Sequence, residues 1–595
     1  MASNPTAIHA STEYVVGVSP DTSSHPDLVW ISSALGDTAA SKQGVMDALD
    51  RIRKFPGEQL DLNLFLATGG MRLMCGATAR FMDDELVQIH AAEMLETVLG
   101  EVRKAPAYLH EADGVPVLMQ ALYDWTRSQK VVSPLLGALR YATFLRDNRP
   151  VMIDMGVIEK IAYLMGEFDS NEIRLRGTYV LSNVSYGNVA LKQRVGDSGV
   201  FSTMVKMMNS TEVAQVSEDH IVALFAAIRN LVFGSKKNQN TIYETGGIGA
   251  MCACAQAHLD RSELVDNAFA ALGNSLFDNV PNVREFIDQR GVELIFKGVE
   301  AHPADLSLRE NAFVLILLCA RASSYSNAEV LDEILRHGTL KMIMETVSSE
   351  SSSLLLKQKA LLVIPQLSTL LDGLRQAREV GLLEVLVLEL RKTVDKQPGE
   401  GQGTQGDKLP LAVGILSAMA SLIPGDEENK SVLLRNKVLE ITVEFLEQYI
   451  DDKAAAAQCL LLYDALFDDA EIRSDAEEKV IELIVKAMQL HNTDASIQEH
   501  GCGALYKIGI WGSVDPKLLS APEVVQAVEY ARESNKGSFA VESVANQFLM
   551  VLIQDSDANQ RSGRNLGGGA GGAGMRSRSR TLGPGSSRSR PTKVS

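Results

Sequence analysis

Apolar residues recur at helical spacing along almost the whole of this 595-residue chain, in short runs separated by polar turns. The pattern begins at Leu28-Val-Trp-Ile and Val45-Met-Asp-Ala-Leu-Asp-Arg-Ile and ends with an amphipathic run from Val541 to Ile553. One phrase is written three times: Arg174-Leu-Arg-Gly-Thr-Tyr-Val-Leu-Ser-Asn183, Asp219-His-Ile-Val-Ala-Leu-Phe-Ala-Ala-Ile-Arg-Asn230 and Leu264-Val-Asp-Asn-Ala-Phe-Ala-Ala-Leu-Gly-Asn274. Glycines mark the period at Gly70, Gly114, Gly156, Gly199, Gly247, Gly291, Gly338 and Gly381, 42 to 48 residues apart. A period in the forties built only from helical patterns predicts stacked three-helix units, each too apolar on its faces to stand alone. The glycine serves the turn between first and second helices, where a side chain would be strained or would block a close approach.

This order resembles the armadillo repeat, with its Ala-Leu-x-Asn-Leu third helix and its Gly-[Gly/Ala/Val]-Ile/Val opener. The resemblance implies an all-α fold, a right-handed superhelical α-solenoid of about 9 to 11 units with disordered termini. It also implies a concave groove lined by third helices, in which another protein lies as an extended segment or helix. Carried over by position, backbone contacts to that partner fall to Asn183, Asn230 and Asn274, with Tyr141 and Leu318 at the equivalent places in flanking units. A side-chain amide both donates and accepts, so it can grip a peptide or bridge neighbouring repeats; the residues alone leave both roles open. Nuclear-import receptors of the family carry Trp four residues before the Asn, where this chain has Tyr179, Ala226 and Ala270, and they carry a basic N-terminal segment that is missing here. Arg140, Arg174, Arg176, Arg229 and Arg321 fall on or beside third helices, as a positive stripe for an acidic ligand or as partners in ion pairs.

The expected organisation is a disordered segment over 1–27, a capped repeat array over 28–393 and a flexible Gly/Gln-rich insertion over 394–408. Degenerate repeats over 409–556 follow, with Lys437 at the opener position, and then a disordered tail over 557–595. Charge sharpens this picture. The chain carries a net −18, yet residues 561 to 595 hold eight Lys or Arg and no acid, leaving a body of 49 basic and 75 acidic residues with a net −26. Such a body repels nucleic acid, so any such binding is weak and confined to the tail. There Arg576-Ser-Arg-Ser-Arg-Thr581 fits a basophilic kinase pattern, with Ser579 and Thr581 as candidate phosphorylation sites.

Six scattered cysteines without framework spacing point to a reducing compartment, the cytoplasm first and the nucleus second. Neither a signal peptide nor a membrane-length apolar run is evident. Catalytic signatures fail on context. Gly401-Gln-Gly403-Thr-Gln-Gly406 spells GxGxxG without a preceding strand, and Cys252-Ala-Cys254 sits in a helical pattern where the two side chains diverge. No HExxH, phosphate-loop or nucleophile-elbow motif occurs, so neither a cofactor nor a metal is expected. The expectation is a non-enzymatic scaffold or adaptor, with a chaperone cofactor of the nucleotide-exchange kind or a nuclear-transport adaptor as alternatives.

Overall fold

The computed structural model describes residues 26–54, 62–209, 218–323, 328–395, 402–467, 477–511 and 515–565. Among these residues every regular element is helical, and the chain folds as an all-α solenoid. It divides into two compact units, one up to Asn436 and one from Lys437 onward.

In the first unit the helices group in threes. The opening triplet, Leu62–Ala67, Gly70–Arg80 and Glu85–Glu101, sets the plan. Successive third helices are Glu85–Glu101, Gln129–Ala142, Asn171–Ser185, Glu218–Val232, Ser262–Leu276, Leu306–Ser323, Leu354–Leu361 and Gln402–Ser421, each packed against the next. A helix pair before them, Pro26–Gly36 and Lys42–Arg53, packs on the second and third helices of the opening triplet and so completes its exposed end. The core is Leu, Val, Ile and Ala, with Phe201, Phe225, Phe269, Phe286 and Phe313 fully buried.

The turn before each second helix contains one residue in the left-handed region: Gly69, Asp113, Gly156, Gly199, Gly246, Arg290, Gly338 and Gly381, then Lys437 at the start of the second unit. The two expected roles of the opener glycine divide between positions. Gly70, Gly114, Gly247 and Gly291 follow the left-handed residue and serve the close approach. A Cβ on Gly247 would lie 2.4 Å from Ile242 Cδ1, and one on Gly291 would lie 2.4 Å from Phe286 Cζ.

First helices lock the stack through a second series of asparagines, eight residues ahead of the left-handed position. Asn148 donates to the carbonyls of Pro106 (3.2 Å) and Ala142 (2.9 Å). Asn238 does the same with Lys192 (2.8 Å) and Leu231 (2.9 Å), and Asn282 with Gln239 (2.9 Å) and Ser275 (2.8 Å). Asn429 repeats it with Leu374 (3.1 Å) and Leu422 (2.9 Å). All four are buried. Each reaches one carbonyl of the preceding first helix and one at the end of the preceding third helix, so the latter, which its own helix leaves unpaired, is satisfied across the repeat boundary.

Helix is described at both ends of the segment expected as an insertion over 394–408. Val394 ends a helix from Leu382 and the next helix begins at Gln402; once Leu411 to Ser421 is packed, adding N-terminal turns costs little. Residues 396–401 lie outside the described residues. The last helix runs from Phe539 to Asn565, past residue 557 where the tail was expected to begin. Residues 1–25 and 566–595 lie outside the described residues. In the second unit Lys453–Leu466, Ala495–Trp511 and Phe539–Asn565 pack side by side, backed by Val438–Tyr449, Glu477–Leu490 and Pro522–Ser534. No helix of the described residues is long and apolar enough to cross a membrane.

Candidate functional site: a row of third helices

The three repeated phrases become neighbouring third helices of the first unit, and their closing asparagines fall on one line. Asn183 Nδ2 donates to Thr143 Oγ1 at 2.8 Å. Asn230 Nδ2 donates to the Ser182 carbonyl at 2.8 Å and to its hydroxyl at 3.0 Å, and Asn274 Nδ2 donates to the Arg229 carbonyl at 3.0 Å. Every one of these bonds reaches back to the previous third helix. The bridging role is therefore present, and it engages the NH2 group of each amide, through two bonds at Asn230 and one each at Asn183 and Asn274. All three side chains are half-buried, and among the described residues none of their amide oxygens receives a hydrogen bond. What remains is a line of carbonyl-type acceptors held in place by their own NH2 groups. The small residues Ala226 and Ala270, one turn earlier, leave the face beside them open.

Toward the N-terminal side the line changes character. The Arg140 guanidinium lies between two rings, 3.7 Å from the Tyr179 centroid and 5.4 Å from that of Tyr141, and so joins the second and third triplets. A cation held against two aromatic faces is partly shielded from water and keeps its charge at the surface. Beside it Arg176 Nη1 donates to Glu96 Oε2 at 2.9 Å and to the Ser133 carbonyl at 2.7 Å, while its Nη2 meets Glu172 at 2.7 Å. Glu96 and Arg176 belong to third helices two triplets apart, and the pair crosses the intervening helix at Gly137. A Cβ there would stand 2.1 Å from Glu96 Oε1. Burial pushes the Glu96 carboxyl above its usual range, and Arg176 offsets only part of that.

Of the expected positive stripe, Arg174 pairs with Asp169 at 3.0 Å and Arg176 is committed as above, whereas Arg229 and Arg321 are exposed. Tyr141, Tyr179, Arg140, Arg229 and the three asparagines thus lie on consecutive third helices. Ser579 and Thr581 lie outside the described residues. Cys252 and Cys254 are buried and their thiols are pushed up to about 12 and about 11 by that burial, so both are packing residues in the neutral form. Asp84 and Asp426 cap helices, accepting from Val87 N at 3.2 Å and Asn429 N at 2.9 Å. Gly403 and Gly406 of the GxGxxG stretch lie in the helix from Gln402.

Two features escaped the sequence. The buried asparagine series is interrupted by Leu191, Val330 and Gly373 at the corresponding places, which hides its period. The residue that directly follows three of the third helices, and the second residue after a fourth, is an exposed aromatic, in a place that reads as turn.

The fold and this row of side chains define an all-α solenoid of the armadillo kind. A solved structure from work on a conserved phosphorylation switch controlling the interaction between cadherin and beta-catenin resembles the chain with a TM-score of 0.63. The two share 13% identity, over 88% of this chain and 98% of that one. At that identity the likeness speaks for the fold. No family model matches the sequence, and no curated protein is similar to it.

Proposed function

We propose that the chain is a non-enzymatic scaffold whose first unit holds a segment of another protein along its row of third helices, in the cytoplasm or nucleus. The observation that carries this is the asparagine line. Its NH2 groups are turned to the preceding repeat, and its oxygens are left to receive a partner's backbone N–H groups. A ligand gripped through its backbone needs no fixed sequence, which suits an adaptor. The interaction of beta-catenin with cadherin, on a similar fold, agrees with a protein partner. Six buried cysteines that form no disulfide suit a reducing compartment.

The test is affinity capture with the intact chain and with Asn183→Ala plus Asn230→Ala, helicity being checked by circular dichroism. Specific partners are expected to fall at least tenfold in recovery. Undiminished recovery of every partner would remove the row from the account.

A further inference from the structure

Four large aromatics stand out of the first unit at one repeated place. Phe144, Tyr186, Phe233 and Phe277 are 60%, 65%, 64% and 64% exposed, and each lies three residues after Tyr141, Asn183, Asn230 or Asn274. Apolar rings so far out of the core, repeated on four consecutive triplets, form a contiguous feature rather than scattered surface residues.

Their placement is fixed from beneath. Arg149, Lys192 and Gln239 share one register, seven residues before Gly156, Gly199 and Gly246. Arg149 Nε donates at 2.9 Å to the Thr143 carbonyl, just ahead of Phe144. Lys192 Nζ donates at 3.0 Å to the Phe233 carbonyl and lies 5.3 Å from that ring. Gln239 Nε2 donates to the carbonyls of Asn274 (2.9 Å) and Phe277 (3.1 Å). Phe144 also meets Tyr141 edge-on, with centroids 5.9 Å apart. Phe233 and Phe277 are thus pinned through their own carbonyls and Phe144 through its neighbour's, while the rings face water.

We infer that this aromatic ladder is a docking edge for a proline-rich, acidic segment of a partner protein in the polyproline II conformation. The inference rests on the scaffold function proposed above and names the chemistry of its ligand. Spacing selects the conformation. Packed helices lie about 8–10 Å apart, which sets the step from rung to rung. A polyproline II helix brings every third residue to the same side after about 9.3 Å, so one proline meets each ring. A β-strand returns to the same side after about 6.7 Å and drifts out of step within two rungs. Charge selects the rest. The turns that carry the rungs also carry Arg146, Arg149 and Lys236 against Asp147 and Asp278, a positive edge on a chain of net −18. Two residues of each polyproline turn point away from the rings, and acidic side chains there meet those cations.

The experiment is fluorescence anisotropy of the full chain with labelled (Pro-Pro-Glu)5. Binding is expected to weaken roughly tenfold for each rung removed, read in Phe233→Ala and in Phe233→Ala plus Phe277→Ala. (Pro-Pro-Lys)5 should bind at least tenfold more weakly, and Tyr163→Ala, an exposed aromatic away from the ladder, should leave binding unchanged. Circular dichroism checks that the variants fold. No binding of (Pro-Pro-Glu)5, equal binding of the lysine peptide, or ladder variants that bind as the parent does would each overturn the proposal. Partner capture separates the two levels. Recovery lost with the asparagine variant but kept with the ladder variant refutes the ladder alone; recovery kept with both refutes the scaffold function.

Discussion

Two asparagine series look alike in the sequence and differ physically. Asn238 is buried and saturates two backbone carbonyls, and Gly196 leaves room for its amide oxygen, which a Cβ there would approach to 2.3 Å. Asn238→Ala leaves the helix-end carbonyl of Leu231 without a partner and takes a second bond from that of Lys192, at an expected cost of about 2 kcal/mol, whereas half-exposed Asn183→Ala should cost under ~1 kcal/mol. Urea unfolding compares them. A titration test belongs to the second unit, where Asp464 Oδ1 meets Lys507 at 2.9 Å and Oδ2 meets His500 at 3.0 Å. Burial opposes its ionisation, but the bonds from His500 and Lys507 outweigh that and hold its carboxyl below the usual range. A depressed carboxyl contributes stability that is present above its ordinary titration range and lost as pH falls through the folded-state value. Asp464→Asn should therefore flatten the acid-side loss of stability, measured as unfolding midpoint against pH below about 4.

At the scale of elements, the helices and their period were legible, because 3.6-residue periodicity and glycine punctuation are local signals. The detail of the turn was not. Asp113, Arg290 and Lys437 hold the left-handed place without being glycine, with φ of 50°, 58° and 61°, and nothing local forces a non-glycine residue there. Arg290→Gly removes that strain and should raise the thermal midpoint, by up to about 1 kcal/mol of stability. Gly247→Ala should act in the opposite direction by about 1–3 kcal/mol, since its Cβ would also come within 2.8 Å of the Ile242 carbonyl oxygen. The line Asn183, Asn230 and Asn274 was legible by position, but its donor side was not. The acceptors Thr143, Ser182 and the Arg229 carbonyl come from another repeat, and register between helices is a tertiary fact. For the same reason the aromatic rungs passed as turn residues: exposure is decided by what packs nearby.

For the whole molecule, stability in a stack of triplets is a sum of near-neighbour terms. A weakened boundary at Asn238 should raise hydrogen exchange in the fourth and fifth triplets and leave the seventh unchanged, and the separation into two units predicts more than one urea transition. The central claim is that the row of third helices receives another protein. Photo-crosslinking tests it most directly, with p-benzoylphenylalanine placed at Ala226 or Ala270 in the row and at exposed Tyr243 on a first helix as the control. The account predicts partner adducts at Ala226 and Ala270 and few at Tyr243; adducts at Tyr243 with none in the row would contradict it.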